Sequence, residues 1–184
     1  MARGPADVIL ESMNTVLVAY ASKHGSTAEI AEVIADKMRE SGLEVDCMPV
    51  RDVESLERYD AVVLGSALYL NHWRTDATRF LREQAEGLAE RPLWVFSSGP
   101  VGEASTALEP KRIVAEIERL GAREHVVFGG RLPSEAHGPF EQVLVRKTPT
   151  QYRDRRYWAE IRAWAARIAE AIVTLEPVGP PRSG

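Results

Sequence analysis

Residues 15–27 decide how the chain folds, and they read TVLVAYASKHGST. The first seven residues form a nearly continuous apolar run of β-formers, which predicts a central strand covered on both faces. Three of the six residues in Ser22–Thr27 bear a hydroxyl and one is a glycine, and Ala28–Ala35 then follow a helical pattern. A strand that turns this tightly into a helix directs loose backbone N–H groups and the positive end of the helix dipole at one point. The stretch therefore predicts a phosphate site.

The composition indicates a soluble globular protein with one full hydrophobic core. The chain has 184 residues, of which 45% are hydrophobic and 27% charged. A net charge of −4 argues against a broad nucleic-acid interface, and no apolar run approaches the ~20 residues that span a bilayer. The single cysteine, Cys47, excludes an internal disulfide, and its place in a strand indicates a structural role. Residues 1–14 do not resemble a signal peptide, so we expect a cytoplasmic protein.

Strand and helix patterns alternate along the chain, which predicts an α/β fold with a parallel sheet and helices on both faces. Further strands are expected at 43–50, 60–66, 91–97 and 125–130, and helices at about 26–41, 75–86, 109–120 and 155–175. The expected organisation is an N-terminal extension (1–14), one domain (15–175) and a tail (176–184). Residues 131–153 are irregular and contain three prolines, and a loop of this length is expected to be functional or mobile.

Three polar loops follow strands one, three and four, and a parallel sheet places them on the same edge, where ligands bind. The first loop, Ser22–Thr27, offers hydroxyls and N–H groups but only Lys23 as a cation, which suits a phosphate monoester held mainly by neutral donors. Neither the Walker pattern nor the dinucleotide glycine pattern is present. The second loop, Ala67–Trp73, and the third, Ser98–Gly102, combine aromatic and polar residues that could border a flat heterocycle.

The first loop is similar to the FMN phosphate loop of flavodoxins, whose pattern is Thr/Ser-x-Thr-Gly-x-Thr. Here the pattern is Ser22-x-His24-Gly25-x-Thr27, with His24 in place of the middle hydroxyl. Residues 60–67, His72-Trp73 and 157–159 resemble the branch of the family that includes menaquinone-dependent protoporphyrinogen oxidase. The resemblance spans residues 15–173. It implies a flavodoxin-like three-layer sandwich with a five-stranded parallel sheet in the order 2-1-3-4-5, and one non-covalent FMN.

The resemblance also implies which residues contact FMN. The phosphate would be held by Ser22, Lys23, His24, Gly25, Ser26 and Thr27, and the isoalloxazine would be bordered by Ala67, Leu68, Tyr69, Asn71, His72, Ser98, Gly99 and Pro100. No catalytic residue or metal ligand is assigned. The expected function is redox transfer through FMN, by an oxidoreductase acting on a quinone or small molecule or by a carrier serving a redox partner protein. The alternative is a flavin-free module that binds or regulates a partner, and a homodimer stays open.

Several side chains have two interpretations from sequence. His24 is a donor to the phosphate or a solvated loop residue. His72 is a proton donor near the flavin or, the favoured interpretation, a capping or packing residue. Trp73 stacks on the ring or packs beneath the loop, and packing is favoured. The basic cluster Arg153, Arg155 and Arg156 is interpreted as a solvated helix start, with a docking point for an anionic partner as the alternative.

Overall fold

The computed structural model describes residues 15–69, 72–99, 111–132 and 139–175. The predicted extension and tail lie outside these ranges, as do Asn71 and Pro100. Within the described ranges, no helix has both the length and the apolar character needed to cross a membrane.

The sheet has five parallel strands and one short antiparallel addition. The strands are β1 (Thr15–Ala21), β2 (Glu44–Pro49), β3 (Ala61–Tyr69), β4 (His72–Trp73), β5 (Leu93–Ser98) and β6 (Glu124–Phe128). The parallel strands lie in the order β2-β1-β3-β5-β6, and β4 pairs with the end of β3. Leaving out β4, this is the predicted order 2-1-3-4-5, so the predicted fold class is confirmed.

Helices cover both faces of the sheet, as expected for buried central strands. They are α1 (Ser26–Glu40), α2 (Thr75–Glu83), α3 (Ala85–Ala89), α4 (Lys111–Arg119), α5 (Pro139–Lys147) and α6 (Trp158–Thr174), with 3-10 turns at Val50–Asp52 and Thr150–Tyr152. One core lies under α1 and α6, where Trp164 packs edge-on against Phe96 and Phe128. The other core lies under α2, α3 and α4. The sheet edge between the two helical layers is therefore left for a site.

Two predicted boundaries were wrong near that edge. Ala67, Leu68 and Tyr69 were expected in a loop, but they extend β3 because Ala67 pairs with Ser98 of β5 and the last two pair with β4. The predicted second loop is therefore a tight β3–β4 hairpin. The last helix begins at Trp158 rather than near Arg155, because the Arg155 N–H donates to the Gly130 carbonyl (3.0 Å) instead of starting the helix.

The two ends of the connection from β6 to α6 are hydrogen-bonded to each other. The Leu132 N–H donates to the Arg153 carbonyl (2.8 Å), and Arg131 and Asp154 form an antiparallel bridge. We call residues 129–132 and 153–156 the crossover clamp. The Arg153 guanidinium donates to the carbonyls of Val145 (2.8 Å) and Thr148 (3.1 Å), at the carboxyl end of α5. The predicted irregular stretch therefore contains a helix whose end is fastened to the clamp.

Candidate functional site

The phosphate loop joins β1 to α1 through a glycine in the left-handed conformation. Gly25 is the N-cap of α1 with φ 84°, a conformation that favours glycine. No side chain makes a capping hydrogen bond to this helix. The Gly25 N–H donates to Ser22 Oγ (3.0 Å), and the first helical bond runs from the Glu29 N–H to the Gly25 carbonyl (2.9 Å). The N–H groups of residues 26–28 therefore precede the helical ladder and are directed at the loop.

The hydroxyls of Ser22 and Ser26 fit an anion in this loop. Ser22 Oγ accepts the Gly25 N–H, and Ser26 Oγ accepts the N–H of Arg131 (3.1 Å). A hydroxyl has one proton and two lone pairs. Both bonds occupy a lone pair, so neither consumes the proton that would be donated to a phosphate oxygen. Together with the α1 N–H groups, this donor set suits the phosphate of FMN.

Thr27 takes a different position from the two serines. Its side chain is buried, and its Oγ1 lies 2.7 Å from Ser98 Oγ. This bond joins the first loop to the end of β5. The structure therefore brings the predicted phosphate and ring residues together at one sheet edge, but it turns the Thr27 hydroxyl toward β5. The expected phosphate contact of Thr27 stays a prediction for its N–H group.

Gly99, at the start of the third loop, packs directly on the end of β3. Gly99 has φ 127°, and a Cβ on this residue would lie 2.8 Å from the carbonyl oxygen of Leu68. The Gly99 N–H donates to the Phe128 carbonyl (3.0 Å). A larger residue at this position would clash with the strand. The glycine therefore lets the backbones of residues 68 and 99 lie close together, and they form one wall of the site. Ala67, Leu68 and Gly99 thus lie on this wall, where the flavin ring was expected.

Lys23 and Tyr69 connect the first loop with the β3–β4 hairpin. The Lys23 Nζ lies 4.1 Å from the centroid of the Tyr69 ring, which is a cation–π contact. His72 pairs with Tyr69 across the hairpin and is exposed, whereas His24 in the first loop is half-buried. Neither histidine's interpretation is decided by these positions.

Trp73 packs beneath the hairpin, as favoured from sequence. Its side chain is buried, and its Nε1 donates to Ser97 Oγ (2.9 Å). Ser97 Oγ also lies 3.2 Å from His125 Nε2, and the His125 ring meets Trp73 edge-on. His125 was not singled out from sequence. The visible signal was a histidine that directly precedes the apolar run Val126–Phe128, on the same face as Val127.

Arg156 lies at the centre of an ion-pair cluster beside the phosphate loop. Its guanidinium donates to both oxygens of Asp154 (2.8 and 2.5 Å) and to one oxygen of Glu29 (2.5 Å). The other Glu29 oxygen accepts from Arg131 (2.7 Å). We call Glu29, Arg131, Asp154 and Arg156 the ion-pair cluster. The interpretation of Arg156 as a solvated residue is wrong, because its side chain is only 4% exposed.

The cluster fastens the crossover clamp to the first turn of α1. Hydrogen bonds from Arg156 hold the pKa of Asp154 below its usual range, and Asp154 in turn raises the pKa of Arg156. Both groups therefore stay charged at neutral pH. Glu29 was missed from sequence, although an acidic residue in the first turn of a helix followed by a distant arginine group was a visible signal.

Comparison with known proteins identifies one matching family. The flavodoxin domain matches residues 17–154. The chain is 29% identical over 83 residues to protoporphyrinogen IX dehydrogenase [quinone] of Escherichia coli (strain K12), covering 44% of this chain and 46% of that protein. It is 31% identical over 119 residues to NAD(P)H dehydrogenase (quinone) of Methylocella silvestris, covering 52% and 57%. The chain thus spans about half the length of these curated relatives.

A solved structure supports the same fold. A flavodoxin from the domain Archaea superposes with a TM-score of 0.58 at 18% identity, covering 86% of this chain and 98% of that chain. At this identity the likeness concerns the fold alone.

Proposed function

Since the chain belongs to the flavodoxin-domain family, we propose that it is an FMN-dependent oxidoreductase that exchanges electrons with a quinone. FMN is the cofactor of this family, which confirms the expected cofactor. The observation that carries the proposal is the donor set at the start of α1. It combines the N–H groups of residues 26–28 with the hydroxyls of Ser22 and Ser26, whose oxygens already accept bonds from the protein.

The chain's own residues would bind and orient the cofactor. Ser22, Ser26 and the first turn of α1 hold the phosphate, while the end of β3 and Gly99 form the wall beside the ring. When bound, FMN supplies electron exchange in steps of one or two electrons. The close fit of Gly99 against Leu68 would keep this wall in a fixed position beside a bound flavin ring.

The proposal that electrons are exchanged with a quinone comes from the names of two curated relatives. Both carry "quinone" in their names, and they match different extents of this chain. A one-electron carrier that serves a protein partner is the competing redox role. The mild net charge of −4 supports the quinone, because strongly acidic surfaces are what steer electron carriers to basic partners.

A reconstitution experiment tests the proposal. The purified full chain is incubated with FMN, freed of excess flavin and reduced anaerobically with dithionite, and menadione is then added in a stopped-flow instrument. We expect visible flavin absorbance that disappears on reduction and returns within milliseconds to seconds of quinone addition. A protein that stays colourless with FMN would contradict flavin binding. Reoxidation no faster than that of free reduced FMN would contradict the proposal that the protein exchanges electrons with a quinone.

Replacing Gly25 with aspartate should weaken FMN binding about 30-fold, or about 2 kcal/mol, because it adds a negative charge beside the phosphate. Aspartate tolerates the left-handed conformation better than most residues, so the backbone change is small. Fluorescence titration gives the Kd of FMN and of riboflavin, and riboflavin binding should change little because it lacks the phosphate.

Gly42→Asp is the matched control for this variant. Gly42 follows the other end of α1 with φ 89°, close to the 84° of Gly25, and a Cβ added to it would meet no atom within 4 Å. We expect Gly42→Asp to leave both Kd values unchanged. If the two variants weaken FMN binding equally, backbone strain or net charge causes the weakening, and not a charge beside the phosphate.

A further inference from the structure

Lys23 is the only lysine or arginine of the loop Ser22–Thr27, and its ammonium group lies on the Tyr69 ring. The start of α1 carries partial positive charge, which repels a cation, whereas the face of a tyrosine ring attracts one. Both effects favour the observed arrangement, in which the positive charge is drawn from the phosphate position toward the end of β3.

Tyr69 is well held at that position. It is the last residue of β3 and pairs with His72 across the hairpin, and the preceding Leu68 is packed against Gly99. The Tyr69 ring therefore belongs to the same wall that borders the proposed flavin ring. A cation resting on it is held beside the ring end of the site.

We infer that Lys23 serves the flavin ring rather than the phosphate, and that its ammonium, positioned by Tyr69, stabilises reduced FMN relative to oxidised FMN. The inference rests on the proposed function. Two electrons and one proton, taken from a reduced quinone or another reductant, leave the flavin ring with one net negative charge. A nearby ammonium lowers the energy of that charge, and does so more in a partly desolvated site than in water.

The consequence is measurable in the binding of FMN in its two redox states. We expect Lys23→Met to raise the Kd of dithionite-reduced FMN about tenfold relative to that of oxidised FMN, equivalent to a midpoint potential about 30 mV lower for a two-electron couple. The ratio of the Kd values of oxidised riboflavin and oxidised FMN should stay within about threefold of the wild-type ratio. Lys23→Arg keeps the charge and should restore most of the difference between redox states.

Tyr69 supplies an independent arm of the same experiment. Tyr69→Phe keeps an aromatic face for the ammonium, whereas Tyr69→Leu removes it. We expect Tyr69→Leu to lower the midpoint potential in the direction of Lys23→Met, and the double variant to lower it by less than the sum of the two changes. Tyr69→Phe should keep the wild-type potential within a few millivolts.

Two results would overturn the inference. One is a Lys23→Met protein whose midpoint potential is unchanged. The other is a Lys23→Met protein that loses tenfold or more of its preference for FMN over riboflavin, which would make Lys23 a phosphate ligand. In both cases wild-type FMN binding would still support the proposed function. Failure of the wild-type protein to bind FMN would reject the proposed function itself.

Discussion

Replacing Arg156 with methionine is expected to lower the free energy of unfolding by about 2–3 kcal/mol, since it removes the buried cation that binds Asp154 and one of the two arginines that pair with Glu29. Arg156 is nearly fully buried, and it joins Asp154 in the crossover clamp to Glu29 on α1. Methionine keeps much of the apolar stem but loses the guanidinium carbon, which lies 4.6 Å from the centroid of the Trp158 ring. The expected loss in the free energy of unfolding is smaller than for a fully buried ion pair, because Asp154 and Glu29 are about half exposed.

Chemical denaturation at neutral pH measures this loss, with Arg167→Met as the matched control. Arg167 pairs with Glu124 at 3.3 Å, but its own side chain is 60% exposed, against 4% for Arg156, so its loss should cost less than about 0.5 kcal/mol. Equal losses in the two variants would contradict the structural role of Arg156.

The same pair makes the effect depend on pH. The pKa of Asp154 is lowered in the folded protein, chiefly by its hydrogen bonds from Arg156. A lowered carboxyl pKa contributes stability above the unfolded value of about 3.9, and that contribution is lost as the pH falls through the folded value. The difference between wild type and Arg156→Met should therefore shrink as the pH falls below about 4. A constant difference down to pH 2 would contradict the assignment to Asp154.

Replacing Gly129 with alanine is expected to cost about 3 kcal/mol, at the upper end of ordinary overpacking. The added Cβ would lie 2.0 Å from the Arg155 carbonyl oxygen and 2.7 Å from its carbon. These are backbone atoms, so no side-chain rotation relieves the clash. The two sides of the clamp must separate, which strains the bond between the Arg155 N–H and the Gly130 carbonyl.

Hydrogen exchange identifies where the strain acts, and denaturation measures its size. The Arg155 and Leu132 amides, which donate the two clamp bonds, should exchange faster in Gly129→Ala than in wild type. Gly87→Ala is the control: Gly87 lies in α3, and its added Cβ would meet only the side-chain atoms of Leu56 and Arg91, at 3.3 and 3.4 Å. That change should alter stability by less than about 1 kcal/mol, and helix propensity favours it. A Gly129→Ala protein as stable as Gly87→Ala would disprove the close contact.

Most strands and helices could be predicted because their patterns appear within a few residues, whereas the strand order 2-1-3-4-5 was implied by the resemblance to the flavodoxin family. The apolar run of β1, the glycine at the start of α1 and the alternation that follows are local patterns. The β3–β4 hairpin was missed because a two-residue strand shows no periodicity, and its partner residues were interpreted as loop. The helix α5 was missed because prolines near its ends resemble loop punctuation, although Pro139 is compatible with a first helical turn.

The burial of Arg156 could not be predicted for a different reason. Its partner Glu29 is 127 positions away in the chain, and the two meet only because the segment that follows β6 passes beside the start of α1. Asp154, two residues away, was visible in the sequence but equally compatible with a solvated pair. Likewise, the bond between Thr27 and Ser98 joins residues 71 positions apart. The residues proposed to contact the cofactor follow a local motif, whereas those that hold the motif in place come from distant parts of the chain.

The crossover clamp brings together the two ends of the stretch between Leu132 and Arg153. The Leu132 N–H and the Arg153 carbonyl are 2.8 Å apart, so the twenty intervening positions enter and leave the domain at nearly one point. Insertions, deletions and exchanges between these two residues need not disturb the strand order or the phosphate loop. The length of this stretch is therefore set separately from the strands and the loop that bind the flavin.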